Sequence, residues 1–282
     1  MPSLYVTDLD GTLIRNDLTL SPFSRARLTA LLNDGAAITV ATARSIVSLT
    51  AILGDLPFRL PIVEFNGSYL SDYQTRRHLV VNAIDPGVAM ETFLRVQAAG
   101  MHPFISAFDG ANDLLFYRDI TNPGENAYLT ERRSFSDRRL RQVPDLGPCL
   151  SHQVICLTMI DKEERVRAVQ QELQGVVGDR LEYTIYAYRY FPGWHFFTVH
   201  DARATKDQGI QALQEGWGFQ GWPLVVFGDD VNDMAMFRIA SRAVAMQNAI
   251  PQVKALAHEV IGSNEEDSVM RWISAHHAAE GR

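Results

Sequence analysis

Hydrophobic and polar positions follow two different rhythms along the chain. Towards both ends, short apolar runs alternate with segments of helical period, a pattern typical of α/β proteins with a parallel sheet. A helix is predicted between Ser21 and Gly35, because serine caps helix amino termini and glycine ends helices. The predicted strands are Leu4–Val6, Ala37–Ala41, Ile62–Phe65, Leu224–Phe227, Ala243–Ala245 and Val260–Ile261.

The middle of the chain has another order of elements. Two units each combine a helix with neighbouring strands, and short connections between strands favour an antiparallel sheet backed by helices. The predicted strands here are Phe104–Phe108, Leu114–Tyr117, Val154–Ile160, Leu181–Phe191 and His195–Val199. We therefore predict a core formed by residues 1–83 and 201–282, with an α+β domain inserted over residues 84–200.

Composition narrows the class of protein. With 46% hydrophobic and 21% charged residues among 282, the chain has the balance of a soluble globular protein. A net charge of −7 argues against a nucleic-acid-binding surface. No basic leader precedes the first strand, and no apolar run approaches the ~20 residues of a membrane helix. We expect a cytoplasmic protein without membrane association, and nothing indicates an obligate protein partner.

The first strand ends in an acidic motif, Asp8-Leu9-Asp10-Gly11-Thr12. Open α/β sheets bind their ligands at the carboxyl ends of the strands. Two carboxylates at ~4 Å repel by ~4 kcal/mol at an effective dielectric near 20, which a divalent cation such as magnesium would offset. Taken alone, a solvated turn explains the motif equally well, because Asp and Gly are common turn residues.

A second acidic strand end follows Leu224–Phe227, with the sequence Gly228-Asp229-Asp230-Val231-Asn232-Asp233. Helix capping requires only one acidic residue, whereas three occur here within five positions. Two acidic strand ends in one sheet favour a shared metal site.

Thr42 and Lys206 are weak functional signals when each is considered alone. Thr42 follows a predicted strand at the start of a helix, where a hydroxyl and backbone amides can hold a phosphoryl oxygen. Lys206 precedes another helix. By themselves, a threonine of this kind is usually a cap and such a lysine is usually exposed.

In this order, Asp8-x-Asp10-Gly11-Thr12, Thr42, Lys206 and Gly228-Asp229-x-x-Asn232-Asp233 resemble the haloacid dehalogenase-like phosphatase superfamily. The likeness is greatest to its Cof-type branch, which has an α/β cap inserted between the hydroxyl and lysine motifs. Asn66-Gly67 and residues 243–249 also resemble that branch. The resemblance implies a Rossmann-like parallel-sheet core with an inserted cap. The chain departs from many relatives at Ala43, Asp207 and Asp230, which leaves the role of Asp230 open.

The resemblance also implies a role for each matched residue. Asp8 would attack phosphorus to form an aspartyl-phosphate, and Asp10 would serve as general acid and then general base. Mg²⁺ would bind the Asp8 carboxylate, the Asp10 backbone carbonyl and Asp229. Phosphoryl oxygens would be held by the amides of Leu9 and Ala43 and by the side chains of Thr42, Lys206 and Asn232. Asp233 would orient water or Lys206, and Asp230 is a second candidate for that role.

Contacts with the rest of the substrate are expected at Asn66, Gly67 and three tyrosines. Tyr186, Tyr188 and Tyr190 share one face of the predicted strand Leu181–Phe191. Aromatic residues are common strand formers, so this face either packs within the inserted domain or forms a specificity surface.

The function predicted from the sequence is magnesium-dependent hydrolysis of a small phosphate monoester, such as a sugar phosphate, nucleotide or phosphorylated cofactor. A phosphomutase or phosphotransferase would use the same aspartyl-phosphate and stays an alternative. A non-catalytic phosphosugar-binding regulator is a third reading, although such a protein has no need of the complete set of acids and lysine.

Overall fold

The computed structural model describes residues 2–134 and 136–280. The chain forms two compact units, one running to Val81 and resuming at Thr205, the other running from Asn82 to Ala204. The sequence placed these borders at 83/84 and 200/201. The second border lies further along because Asp201 pairs with Leu181 and Glu182 with His200, which keeps both positions in the inserted unit.

The helices and strands have the following bounds. The strands are β1 (Leu4–Thr7), β2 (Ile38–Val40), β3 (Ile62–Glu64), β4 (Tyr69–Ser71), β5 (His78–Val81), β6 (Phe104–Phe108), β7 (Asp113–Tyr117), β8 (Leu140–Gln142), β9 (Gln153–Asp161), β10 (Leu181–Ala187), β11 (His195–Asp201), β12 (Leu224–Gly228), β13 (Arg242–Met246) and β14 (Glu259–Ile261). The helices are α1 (Pro22–Asn33), α2 (Ile46–Leu53), α3 (Pro86–Ala98), α4 (Pro123–Ser134), α5 (Glu163–Val176), α6 (Lys206–Gly216), α7 (Met234–Ile239), α8 (Pro251–Leu256) and α9 (Ser268–Glu280).

The first unit contains the predicted parallel sheet, with strand order β14-β13-β12-β1-β2. Because β1 and β12 are parallel neighbours, with Thr7 opposite Phe227, both strands end at the same edge. The residues that follow them, Asp8 and Asp229, are thereby brought side by side. The register of this one strand pair therefore positions both acidic motifs.

A serine begins one helix of this unit, and a glycine ends another. The Ser21 hydroxyl accepts from the Ser24 amide at 2.9 Å at the start of α1. Helix α2 ends at Gly54, whose φ of 70° is readily adopted only by glycine. Ala41 forms a parallel bridge to Val63, and β3 then opens a small antiparallel sheet with β4 and β5. The sequence prediction did not include β4 and β5, because one is very short and the other is partly exposed.

The inserted unit has a six-stranded sheet with order β10-β11-β9-β6-β7-β8. Its neighbours are antiparallel, as predicted, except that β7 and β8 run parallel. The buried apolar residues of helices α3 and α5 form one hydrophobic cluster with residues of this sheet. Helix α4 contributes Tyr128 and Leu129 to a second, aromatic cluster. The sequence prediction omitted α4, because its remaining residues are mostly polar. No described helix is long and apolar enough to cross a membrane.

The predicted strand Leu181–Phe191 is wrong beyond Ala187. The Phe191 amide donates to the Tyr188 carbonyl at 3.0 Å, so a turn replaces the end of the strand. Of the three tyrosines, only Tyr186 lies in β10, and the shared strand face therefore does not exist. All three nevertheless pack in the aromatic cluster, where the rings of Tyr186 and Tyr188 lie 5.2 and 4.5 Å from that of Phe196.

The burial of Tyr188, which is 4% exposed, predicts a mainly structural role. We expect Tyr188→Ala to lower the free energy of unfolding by about 3–5 kcal/mol, the usual cost of removing a buried aromatic ring. Tyr188→Phe keeps the ring and should cost less than about 1 kcal/mol, because the hydrogen bond from the hydroxyl to Glu131 is long, at 3.4 Å. Chemical denaturation of both variants measures this. Equal stability of Tyr188→Ala and wild type would contradict it.

Candidate active site

Asp8 and Asp229 meet at the carboxyl edge of the parallel sheet. The Asp8 amide donates to the Phe227 carbonyl at 2.9 Å, which continues the pairing of β1 with β12 into the motif. The Thr12 hydroxyl donates to Asp229 Oδ1 at 2.9 Å and so links the two acidic motifs directly. Both carboxylates are buried, with 5% exposure for Asp8 and 2% for Asp229.

Lys206, the first residue of α6, is buried between two of the acids. Its Nζ donates to Asp8 Oδ1 and to Asp233 Oδ1, both at 2.6 Å. With 1% exposure, it differs from the solvated lysine that its isolated sequence context suggests. A buried ammonium is stable only when it is paired and hydrogen-bonded, and the two carboxylates provide this.

Both carboxylate oxygens of Asp233 accept hydrogen bonds from neighbouring groups of the protein. Its Oδ2 accepts from the amides of Asp229 and Asp230 at 2.7 and 3.0 Å, while its Oδ1 accepts from Lys206. The Asp230 side chain accepts in turn from the Val231 amide at 2.7 Å, and it also accepts from the Asp233 amide, which completes a capping box. Asp233 therefore orients Lys206, whereas Asp230 caps the turn that carries Asn232.

The charges in this cluster are not balanced. Three buried carboxyl groups, from Asp8, Asp229 and Asp233, surround the single ammonium of Lys206. Burial raises the pKa of Asp8 well above its usual range; Lys206 lowers it, and the nearby Asp233 and Asp229 raise it further. Burial alone would lower the pKa of Lys206, but Asp233 and Asp8 outweigh this effect and raise it. The lysine is therefore firmly charged, and the carboxyl groups of the cluster outnumber it three to one.

The acid cluster fits a hard divalent cation. Oxygen atoms of Asp8, Asp229 and Asp233 lie within 4.8 Å of one another. Since both oxygens of Asp233 are engaged by Lys206 and backbone amides, Asp8 and Asp229 are the side chains suited to bind the ion. Few carboxylates combined with room for water and substrate oxygens match the octahedral preference of magnesium. A divalent cation would also supply the missing positive charge.

Backbone amides close to Asp8 are suited to bind an anion. Within the described residues, the amides of Leu9 and Ala43 have no hydrogen-bond acceptor in the chain. The Thr42 hydroxyl accepts from the Arg44 amide at 3.1 Å, which leaves its proton to be donated elsewhere. Unpaired amides beside a helix start favour a phosphoryl oxygen.

Arg44 is a residue that the sequence reasoning missed. Its Nε and Nη2 groups donate to the two oxygens of Asp10 at 2.7 and 2.8 Å, and its Nη1 donates to the Ser48 hydroxyl at 2.9 Å. Asp10 thus has its carboxylate held by a bidentate pair, outside the cluster formed by Asp8. No local pattern in the sequence indicates this pair, because its two residues lie 34 positions apart in the chain.

Asn232 and Asn66 are brought together, although 166 positions separate them in the chain. The Asn232 Nδ2 donates to Asn66 Oδ1 at 3.0 Å. Gly67 lies against Thr205, where a Cβ atom would come within 2.4 Å of the Thr205 carbonyl oxygen. The first unit therefore assembles every candidate residue named from the core motifs, whereas Tyr186, Tyr188 and Tyr190 belong to the inserted unit.

A model of the haloacid dehalogenase-like hydrolase family matches residues 5–273. This match confirms the resemblance predicted from the four motifs. The 5-amino-6-(5-phospho-D-ribitylamino)uracil phosphatase YitU of Bacillus subtilis is 26% identical over 276 residues, covering 96% of each chain. The pyridoxal phosphate phosphatase YbhA of Escherichia coli is 26% identical over 285 residues, covering 95% of this chain and 96% of the relative.

The fold is also found among solved structures. A haloacid dehalogenase-like hydrolase from Bacteroides thetaiotaomicron superimposes with a TM-score of 0.78 at 21% identity, covering 98% of this chain and 99% of its own. At that identity, the likeness concerns the fold alone. It agrees with the α/β fold class predicted from the sequence.

Proposed function

We propose, since this chain belongs to the haloacid dehalogenase-like hydrolase family, that it hydrolyses small phosphate monoesters through an aspartyl-phosphate on Asp8. The main support is the position of Asp8, which lies buried beside Asp229 and Lys206 and next to the unpaired amides of Leu9 and Ala43. A carboxylate, a cation site and amide donors around one point are what phosphoryl transfer requires.

In the first step, a carboxylate oxygen of Asp8 forms a bond to phosphorus as the bond from phosphorus to the leaving oxygen breaks. Protonated Asp10 transfers its proton to that oxygen, and the alcohol departs. In the second step, Asp10 as carboxylate takes a proton from water, the water oxygen attacks phosphorus, and Asp8 is released with inorganic phosphate. In the structure, Arg44 donates to both oxygens of the Asp10 side chain.

Phosphoryl oxygens would be held by the Leu9 and Ala43 amides and by the side chains of Thr42, Lys206 and Asn232. Asp8, Asp229 and the Asp10 carbonyl would bind Mg²⁺, with Asp233 orienting Lys206. The ion, when bound, neutralises charge on the phosphoryl group and so lets an anionic nucleophile approach it.

The inserted unit is proposed to select the substrate, because each matched motif lies in the other unit. One similar protein is named for a phosphorylated ribitylaminouracil and another for pyridoxal phosphate. Phosphorylated cofactors and their precursors are therefore the first compounds to compare with sugar phosphates and nucleotides. Free, buried thiols at Cys149 and Cys156 support a cytoplasmic location.

Two other functions make distinct predictions. A phosphomutase or phosphotransferase would pass the phosphoryl group of Asp8 to a sugar hydroxyl, so a hexose phosphate with a bisphosphate activator would yield an isomer instead of free phosphate. A non-catalytic regulator would bind phosphosugars without turnover. The buried and mutually repelling acids of Asp8 and Asp229 argue against a regulator, because they destabilise the fold and binding alone does not need them.

Asp8→Asn is expected to lower kcat for phosphate release at least about 10³-fold, because an amide cannot attack phosphorus. Its melting temperature should equal or exceed that of the wild type, since one buried, repelling carboxylate is removed. Phosphate release from a panel of monoesters, with magnesium present, tests this. Asp17→Asn, which changes an exposed carboxylate, is the matched control and should keep full activity. A fully active Asp8→Asn protein would contradict the proposed mechanism.

Chelation of divalent cations is expected to abolish turnover, and magnesium should restore it far better than calcium. Calcium accepts more ligands at longer distances, which would disturb the in-line geometry. Magnesium should also raise the melting temperature of the wild type, because it offsets repulsion between Asp8 and Asp229. Titrations of activity and melting temperature measure both effects. Undiminished turnover after exhaustive chelation would exclude the proposed metal site.

A further inference from the structure

The turn Phe65–Gly67 has three consecutive residues in left-handed backbone conformation. Their φ angles are 47°, 55° and 109° for Phe65, Asn66 and Gly67. Glycine adopts such angles freely and asparagine tolerates them, but a bulky residue such as phenylalanine rarely does. Strain of this kind persists only where surrounding contacts impose it, and it is frequent at functional sites.

Contacts with the candidate phosphoryl-binding segments impose this conformation. The amides of Phe65 and Asn66 donate to the carbonyls of Arg44 and Thr42 at 3.2 and 2.9 Å. Gly67 packs against Thr205, the residue before Lys206, so closely that no side chain fits. These contacts fix the position of the turn relative to the segment that carries Thr42 and to the start of α6.

The Asn66 side chain also connects the turn to Asn232. Its Oδ1 accepts from Asn232 Nδ2 at 3.0 Å, and this is the only hydrogen bond of the Asn232 side chain within the described residues. Asn66 itself is 4% exposed, and its own Nδ2 is buried without a partner in that part of the chain. Buried amides are rarely left unpaired. The unpaired Nδ2 of Asn66 therefore destabilises the fold, while its Oδ1 is hydrogen-bonded to Asn232.

We propose that Asn66 is a positioning residue for phosphoryl binding, acting through Asn232. The inference rests on the proposed function, in which Asn232 holds a phosphoryl oxygen. A half-buried asparagine would otherwise sample several rotamers and would be ordered only on binding. Asn66 fixes it beforehand, and the strained turn ties Asn66 to the loop that carries Thr42. Preorganised donors of this kind stabilise the transition state.

Asn66→Gly is the informative variant, because glycine adopts a φ of 55° without strain and removes the unpaired amide. We expect kcat/KM for p-nitrophenyl phosphate and the affinity for orthovanadate to fall about 10-fold or more. This is the scale of one hydrogen bond to a charged group, here the bond from Asn232 to a phosphoryl oxygen. The melting temperature should stay equal or rise. Arg76→Gly is the matched control, since Arg76 has a φ of 60° in an exposed turn, and its kinetics should be unchanged.

Combination with Asn232→Ala separates positioning from a general structural effect. If Asn66 acts through Asn232, Asn66→Gly should cause no further loss of kcat/KM in the Asn232→Ala background. The same loss in both backgrounds would overturn the proposal, as would a loss that follows a lowered melting temperature. An Asn66→Gly enzyme within twofold of the wild type would also overturn it. A wild type that releases no phosphate would instead refute the proposed function.

Discussion

The ammonium of Lys206, buried between Asp8 and Asp233, is the interaction on which the candidate active site depends. Without it, three carboxyl groups would lie together in the protein interior, where their repulsion is only weakly screened. The lysine compensates one of these charges, and the backbone amides of Asp229 and Asp230 stabilise Asp233. The remaining imbalance at Asp8 and Asp229 makes the site attractive to a divalent cation. Burial raises the pKa of Asp8 well above its usual range, and the nearby Asp233 and Asp229 raise it further.

The fold supports this cluster by bringing distant segments into contact at positions where only glycine fits. A Cβ at Gly228 would lie 2.5 Å from Cγ of Asp233, and one at Gly67 would lie 2.4 Å from the carbonyl oxygen of Thr205. A Cβ at Gly209 would meet a methyl group of Val63 at 2.6 Å. The close approach of α6 to β3, and of Asp233 to the end of β12, therefore depends on glycines that have no side chain. This packing leaves little freedom for Lys206, so the geometry of its two ion pairs is built into the backbone.

The sequence predicted the parallel core and the acidic edge because both follow from local patterns. Apolar runs define β1 and β12, and the residues after them must lie at one edge once the strands are parallel neighbours. The ion pair of Arg44 with Asp10 and the bond between Asn66 and Asn232 had no such pattern. They join residues far apart in the chain, and only the three-dimensional packing decides such pairs. The end of β10 was misjudged for a related reason, because Tyr188 and Tyr190 have strand propensity but pack around Phe196 from a turn.

The central claim is that the phosphoryl group passes through Asp8. Acid quenching of the enzyme during turnover of p-nitrophenyl phosphate with magnesium, followed by peptide mass spectrometry, tests it most directly. We expect a burst of p-nitrophenol and an acid-stable phosphoryl group on the peptide that carries Asp8, with neither present in Asp8→Asn. Turnover with a phosphoryl group on another residue, or with phosphate released in step with p-nitrophenol and no covalent adduct, would contradict it.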